Sequence, residues 1–476
     1  MEERLKKMDS LTKLEINPYP YRFDRTHTFK EIKDNFDILS RDETEAMCCG
    51  RILTVRGHGK TIFITMADEN DRLQIYLRQD QLGTRFTQLE LLDIGDFLGV
   101  KGKVFRTKTG EITVIVSDFV LLSKSLRPLP EKFHGLTDIE LRYRRRYLDL
   151  LANPQIRDIF KQRARLLTLI RRFFDDRGFI EMETPVLQPI YGGGEANPFK
   201  TYYNALDQEM YLRIADELYL KRLIVGGFEK VYEVCRDFRN EGIDRYHNPE
   251  FTMIEVYQAY TDYFGIMDMV ELLIEHLIES MEETKVLQFD DKKIDFKRPF
   301  VRLKYVDTLN AMLGYDVLDV DGKVLDKTCR EYRIDPEPLS HGTKIDKLFG
   351  AIVQKDLTEP TFVIDHPKII SPLAKVHRND PRLVERFELM IFGMEIANAF
   401  SELNDPVEQR QRFEEQLRLK AEGIKELDED FIEAIEHGMP PTGGLGIGID
   451  RLCMVLLNQP SIRDVILFPQ LRKEKH

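Results

Sequence analysis

Residues 236–251, RDFRNEGIDRYHNPEF, crowd charges of both signs around one glycine and close on His-Asn-Pro-Glu-Phe. The flanking EKVYEV and TMIEVYQAY read as two β-strands, which makes the charged run the tip and inner flanks of a hairpin. Along EVCRDFRNE, alternation puts Glu233, Cys235, Asp237, Arg239 and Glu241 on one face. Along FTMIEVY it puts Phe251, Met253, Glu255 and Tyr257 on one face. If these faces coincide, an arginine, several carboxylates, a phenol and a ring project into one cleft. Carboxylates on a sheet face are costly unless paired or wet. One reading is therefore a salt-bridged structural sheet. The other is a site for a ligand carrying both anionic and cationic groups. There Arg239 would bind a carboxylate or phosphate, Glu255 an ammonium and Phe251 a flat ring.

A second stretch, GMPPTGGLGIGIDRLCMVL, supplies a wall for such a site. Gly443, Gly444, Gly446 and Gly448 allow close backbone approach before a helix that begins near Asp450 and Arg451. The same glycines could equally serve helix packing against a sheet. Their spacing is neither that of a P-loop nor that of a dinucleotide fingerprint.

The elements that position these residues differ along the chain. Residues 1–45 form a charged N-terminal extension with one helix expected around HTFKEIKDNFDIL. Residues 46–125 alternate as five short strands, GRILTVR, KTIFITMAD, RLQIYLR, GVKGKVFRT and EITVIVSDFVLL, with a helix in QLGTRFTQLELLDI after the third. That order predicts an OB-type barrel. Parity sends Ile62, Ile64 and Met66 inward with Leu73, Ile75, Leu77, Ile112, Val114 and Val116. It leaves Phe63, Gln74 and Glu111 outside, where a ring beside hydrogen-bonding groups suits a base-stacking platform. A neighbouring loop covering Phe63 is the plainer alternative.

Residues 126–155 are an expected linker, marked by the prolines of SLRPLPEKF. Arg142, Arg144, Arg145 and Arg146 make a basic knot there, read as a solvated helix face or as a contact to RNA backbone or another domain. Residues 156–476 show no repeat or low-complexity break and fit one large domain of helices and sheet. The formal charge of −12 argues against nonspecific coating of nucleic acid but not against a local basic face. Five cysteines without a CxxC pair read as small buried hydrophobes in a reducing compartment. No signal peptide and no long apolar run are found, so a cytoplasmic protein without a membrane is expected.

Taken in order, GFIEMETPVL, FRNEGIDRYHNPEF and GGLGIGIDR resemble motifs 1, 2 and 3 of the class II aminoacyl-tRNA synthetases. RNEG with HNPEFTMIEVY and NAFSELNDP resembles the lysyl enzymes of bacterial type, along nearly the whole chain. The resemblance implies an α+β fold: an antiparallel catalytic sheet flanked by helices, with an N-terminal OB-fold barrel that binds the anticodon. It implies ATP-dependent activation of L-lysine, transfer to the 3′ end of the lysine tRNA, magnesium as cofactor, and a homodimer through motif 1 around Pro185.

Residue by residue, the resemblance makes Arg239 and Arg451 catalytic. It places Arg239, Glu241, His247, Asn248, Phe251, Glu388 and Arg451 around ATP, with Glu388 and Glu395 as magnesium ligands. Lysine would meet Gly193, Glu217, Arg239, Glu255, Tyr257, Asn398 and Glu402. The ε-ammonium would face Glu255 and Glu402, two acids that would repel a misplaced aspartate. Phe63, Gln74 and Glu111, with Arg56 as a further candidate, would grip the anticodon. Three positions depart from the family pattern. Asp216 replaces the usual proline before the pocket glutamate, and Gly194 and Gly443 replace alanines, which should loosen or enlarge the pocket. A lysine ligase acting on a protein acceptor is the rival activity, and a non-catalytic RNA-binding relative is a second rival. The retained barrel argues against the first, and the retained ATP and magnesium residues against the second.

Overall fold

The computed structural model describes residues 1–129, 136–194, 196–281, 286–289, 291–418 and 427–473, with nothing stated of the His58 side chain. It divides into two compact units, Met1–Leu136 and Thr137–His476.

In the first unit, β1 (Glu45–His58), β2 (Thr61–Ala67), β3 (Arg72–Arg78), β4 (Phe97–Arg106) and β5 (Ile112–Ser123) close into a barrel of order β1-β2-β3-β5-β4. Alternation decides what fills it: Ile64, Met66, Leu73, Ile75, Leu77, Val114 and Val116 are all buried. Ile62 and Ile112, at strand starts, are only partly covered. The helix expected between the third and fourth strands is a four-residue α-turn, Gln79–Leu82, followed by a 3-10 stretch, Gly83–Leu91.

The first 45 residues complete this unit. They form α1 (Glu2–Lys13), α2 (Phe29–Asp34) and α3 (Phe36–Arg41). The single helix expected around residues 27–39 is thus two, broken at Asn35, and α1 was not anticipated. Thr28 and Glu31 form a reciprocal capping box that starts α2. Leu11, Phe29, Ile32 and Leu39 join the barrel core. Gly50 makes this possible, since a Cβ there would lie 2.8 Å from the Phe29 ring.

The second unit is built on eight strands: β6 (Ile180–Glu181), β7 (Lys230–Phe238), β8 (Glu250–Ala259), β9 (Val301–Lys304), β10 (Thr361–Pro367), β11 (Leu383–Ile391), β12 (Met394–Ser401) and β13 (Thr442–Gly448). Their order is β9-β10-β11-β12-β13-β8-β7-β6. Only the outermost pairs, β9 with β10 and β6 with β7, are parallel. The interior of the sheet is antiparallel, as expected for the α+β class.

The sheet has one dry face. Tyr232, Ile254, Val256, Phe387, Leu389, Ala397, Ala399, Leu445 and Ile447 belong to one buried apolar cluster. Against them pack Leu166, Ile170, Phe173 and Phe174 of α4 (Gln155–Asp175) and the apolar stripe of α6 (Tyr263–Met281). Helix α5 spans Glu217–Val225, and α7 spans Ile449–Leu456. Burying that stripe fixes the rotation of every strand, and so commits the alternate residues to the opposite face.

Most of the basic knot is tied up within its own unit. Arg142 and Arg146 both pair with buried Asp149, at 2.9 and 2.8 Å. Arg146, almost fully buried, also donates to the carbonyls of Arg463 and Leu467 at 2.7 and 3.1 Å. Arg144 pairs with Glu140, and Arg145 alone is exposed. The knot therefore fastens the C-terminal segment, and helices Ile139–Arg144 and Arg146–Ala152 occupy much of the stretch read as a linker.

Candidate active site

The two parity faces coincide. Glu233 stands opposite Glu255, Cys235 opposite Met253 and Asp237 opposite Phe251. Carried across the sheet, register produces one row, Glu388–Asn398–Gly446–Glu255–Glu233. The next row is Arg386–Phe400–Gly444–Tyr257–Val231. Above them opens a cavity of about 440 Å³ whose lining includes Glu217, Arg239, Phe251, Glu255, Tyr257, Arg386, Asn398, Glu402 and Arg451.

Glycine makes the floor. A Cβ on Gly444 would lie 1.9 Å from Glu402 Oε1, and one on Gly446 would lie 2.6 Å from Glu255 Oε1. Any side chain at either position would have to displace a pocket carboxylate. Gly443 faces the other way: its Cβ would strike Ile266 at 2.6 Å and Thr261 at 2.9 Å. The expectation that Gly443 enlarges the pocket is therefore corrected; it lets α6 approach the sheet. Gly194 does border open space.

At one end of the cavity the charge is acidic. Glu217 opens α5, beside Gly193, whose φ of +82° is a left-handed conformation that glycine adopts without strain. Tyr257 donates to Glu255 at 3.0 Å, and both are buried. Glu402 is 1 % exposed, and its Oε1 has no hydrogen-bond donor. Lys221 Nζ lies 2.5 Å from Glu217 Oε1 and also pairs with Glu402 Oε2. Burial pushes the Glu402 carboxyl up to about 8 despite that neighbour. Burial also pushes Glu255 well up, helped by the charges of Asp216, Glu217 and Asp237.

Beneath this end lies a second layer that the hairpin face shares. Arg213 pairs with Glu233 at 2.7 Å and with Asp237 at 3.2 Å, and Thr184 donates to Glu233 at 2.7 Å. The salt-bridged reading therefore holds for the inner half of the face, while Arg239, Phe251 and Glu255 of the outer half line the cavity. Asp216 is fully buried, and neither of its oxygens has a partner in another residue. Its carboxyl, the Asp237 carboxyl and the Cys235 thiol lie within 4.8 Å of one another. Burial, then Asp237, drives Asp216 well above the usual carboxylate range. Burial pushes Asp237 up to about 6.

The other end is cationic. Arg239 stacks over Phe251, 5.1 Å from the ring centroid, and donates to the Ile214 carbonyl at 3.4 Å. Arg451 donates to the Glu395 carbonyl at 2.9 Å and meets His247 Nε2 at 2.9 Å, while Asp244 holds His247 Nδ1 at 2.8 Å. The hairpin tip is thus tied to the start of α7. Glu241 is exposed at the rim. Asn248 borders the cavity, yet its amide donates to the Glu250 carbonyl at 2.6 Å and its oxygen accepts from Gln470 N at 3.1 Å. Those bonds make it a brace of the hairpin tip.

Glu395 lines the cavity, whereas Glu388 stands outside its lining and pairs with Arg386 at 2.6 Å. Burial pushes Glu388 up to about 8, with Glu395 and Asp346 adding repulsion. Arg386 also donates to Asn398 Oδ1 at 3.0 Å and to Ser371 Oγ at 3.0 Å. Three of these partners escaped sequence reasoning. Lys221 is four residues after Glu217 on a helix, and Arg386 is two before Glu388 on a strand, so period alone could have flagged both. Arg213 carries no such signal.

In the barrel unit, Arg56, Phe63 and Tyr76 sit side by side across β1, β2 and β3. Phe63 is half-buried and stacks on Tyr76, with centroids 4.4 Å apart and planes at 18°. Gln74 donates to Thr113 Oγ1 at 3.2 Å; Arg56 and Glu111 are exposed. Phe63, Gln74 and Glu111 thus lie outside the barrel core, as parity assigned them, with Arg56 and Tyr76 flanking Phe63.

A family described as "tRNA synthetases class II (D, K and N)" matches residues 138–472, and one described as "OB-fold nucleic acid binding domain" matches residues 47–122. The lysine--tRNA ligase of Thermotoga maritima is 50 % identical, covering 100 % of this chain and 96 % of its own length. That of Carboxydothermus hydrogenoformans is 52 % identical, covering 98 % and 97 %. The chain belongs to the class II lysyl-tRNA synthetases. The lysine--tRNA ligase of Aquifex aeolicus is 51 % identical over 94 % of this chain and 76 % of its own. Among the described residues, no helix is long and apolar enough to cross a membrane.

The second layer sets a pH dependence. Asp216 and Asp237 hold protons in the folded chain at pH values where the unfolded chain has released them. They therefore cost stability as pH rises from about 4 through 6. Asp216→Asn should raise the melting temperature more at about pH 8 than at about pH 5, with a gain on the order of 1–3 kcal/mol at the higher pH. Thermal unfolding at both pH values checks this; an equal gain, or a loss, would contradict it.

Proposed function

We infer that the protein activates L-lysine with ATP and transfers the lysyl group to the 3′ end of its tRNA. The observation that carries this is one cavity with a carboxylate-rich end and an arginine-rich end, in a chain of this family. In the first step a lysine carboxylate oxygen attacks the α-phosphorus of ATP, and pyrophosphate leaves. In the second, a terminal ribose hydroxyl of the tRNA attacks the adenylate carbonyl, and AMP leaves. No covalent bond to the enzyme forms; catalysis is positioning and electrostatic stabilisation.

The positions of the residues support the following roles. Arg239, at the cationic end, takes the lysine carboxylate and the α-phosphate, where negative charge grows. Phe251 offers its ring to adenine, and Arg451 with His247 closes the triphosphate side. Glu217 and the Gly193 carbonyl receive the α-ammonium, and Asn398 assists Arg239 at the carboxylate. Glu402 Oε1, with no donor of its own, and Glu255 receive the ε-ammonium, beside the Tyr257 hydroxyl. Glu241 and Asn248 frame the adenine pocket, Asn248 mainly through the backbone it holds.

Lysyl-tRNA synthetases of this class are generally magnesium-dependent. The donor set fits: Glu388 and Glu395, with Asp346 nearby, offer hard oxygens whose mutual repulsion a divalent cation would relieve. Bound there, magnesium would neutralise triphosphate charge. The protein's own part is to hold those carboxylates beside Arg386.

Lysine-dependent exchange of pyrophosphate into ATP, measured against all twenty amino acids, tests the activity. Arg239→Ala should lower that exchange about a hundredfold or more. Exchange within tenfold of the parent would remove Arg239 from the reacting phosphate.

The barrel supports tRNA rather than protein as acceptor. Phe63→Ala removes a half-buried ring and leaves the barrel interior intact. Lost stacking should cost about 1–3 kcal/mol of tRNA binding. Exchange should stay normal while kcat/KM for charging falls about tenfold. A parallel fall of both activities with the melting temperature would make Phe63 a structural residue instead.

A homodimer is the remaining part of this reading. Ile180, on the edge strand of the large sheet, and Val186 and Leu187 shortly after it in the chain are exposed apolar residues of the motif 1 segment or next to it. Such a patch suits a two-fold interface. Sedimentation at micromolar concentration should give twice the chain mass; a monomer throughout would refute it.

A further inference from the structure

The acidic end of the cavity holds a cation of its own. Lys221 is completely buried, on α5, with Nζ 2.5 Å from Glu217 Oε1, against Glu402 Oε2, and 5.5 Å from the centre of the Phe400 ring. It uses one oxygen of each carboxylate. The remaining oxygens point elsewhere: Glu402 Oε1 lies under Gly444, and Glu217 Oε2 lies on the Gly193 side. Those are the oxygens left for a ligand.

Charge gives this arrangement a meaning. Glu217, Glu255 and Glu402 carry three negative charges when ionised, and Lys221 carries one positive charge. Two negative charges are left over. Free lysine brings two ammonium groups to that end, and its carboxylate lies at the Arg239 end. Without Lys221, two substrate cations would face three buried carboxylates, and one carboxylate would have to take a proton.

We propose that Lys221 is a positioning residue for lysine selection, fixing Glu402 and Glu217 in place and setting the pocket charge that two ammonium groups neutralise. The proposal rests on the lysine-activating reading above. An amino acid with a neutral side chain would leave one buried carboxylate unpaired, which is a stronger rejection than a change of shape. The other titratable groups around Lys221 and Glu402 are Glu217 and Asp216 at the start of α5, and Glu255 and Tyr257 on β8; β13 presents only glycine there.

A purely structural Lys221 would affect stability alone, so the test reads lysine binding. In lysine-dependent exchange, Lys221→Met should raise the lysine KM about tenfold or more. Its kcat and ATP KM should stay within about threefold of the parent, since Lys221 touches no group at the arginine end. The rising limb of kcat/KM for lysine should move to higher pH, because Glu402 loses the cation that counteracts the upward push of burial. Glu402→Gln with Lys221→Met should lose clearly less than the product of the two single losses, since Lys221 acts in part through Glu402. A lysine KM within about twofold of the parent with an unshifted pH profile would overturn the proposal, as would fully additive losses. If Lys221→Met melts too low to assay, Lys221→Gln keeps most of the volume without the charge and is held to the same outcomes. A parent chain showing no lysine-dependent exchange would instead refute the functional reading itself.

Discussion

Buried like charge is the constraint to which this catalytic unit answers. Glu233, Asp237 and Glu255 project from neighbouring strands on one face, with Asp216, Glu217 and Glu402 close by. Such a cluster cannot persist in a low-dielectric interior without counter-charge, protons or a ligand. The structure supplies the first two. Arg213 answers Glu233 and Asp237, Lys221 answers Glu217 and Glu402, and Asp216 is driven toward its neutral form. What remains unmatched faces the cavity, and that remainder suits a doubly cationic amino acid.

The dry face makes this possible. Helices α4, α6 and α7 bury an apolar stripe that runs across most of the strands. Because side chains alternate, the same packing that stabilises the sheet holds the polar row in register on its other side. A slip of one residue in β8 would place Ile254 and Val256 in the cavity and Glu255 against Leu445 and Ile447. The hydrophobic core therefore enforces the geometry of the charged site from behind.

Much of this was legible in the chain. Strand alternation placed the barrel core, left Phe63 and Gln74 outside, and aligned the hairpin faces, because period two is a local property. The motif residues were recognisable because chemistry fixed both their types and their order. What sequence left hidden was partnership at long range. Arg213 answers residues 20 and 24 positions away, and Arg146 holds carbonyls more than 300 positions away. Nothing in a linear pattern announces such pairs. Gly443 shows the same limit: a glycine beside the pocket in sequence turned out to face a helix. The N-terminal helices were obscured for another reason. Their buried positions are few, and only contact with the barrel reveals which residues count.

Gly444 and Gly446 give the pocket a floor of bare backbone, over which Glu402 and Glu255 lie in direct contact. A wall built of side chains can be carved away by substitution, and the range of accepted molecules can widen as it is. A wall with no side chains has nothing left to remove. Changes along β13 can only take space from the amino acid, never add it, so drift toward bulkier substrates is closed off from this direction. Any broadening has to begin at the side-chain walls instead, on α5, β8 or β12, where the compensating charges are.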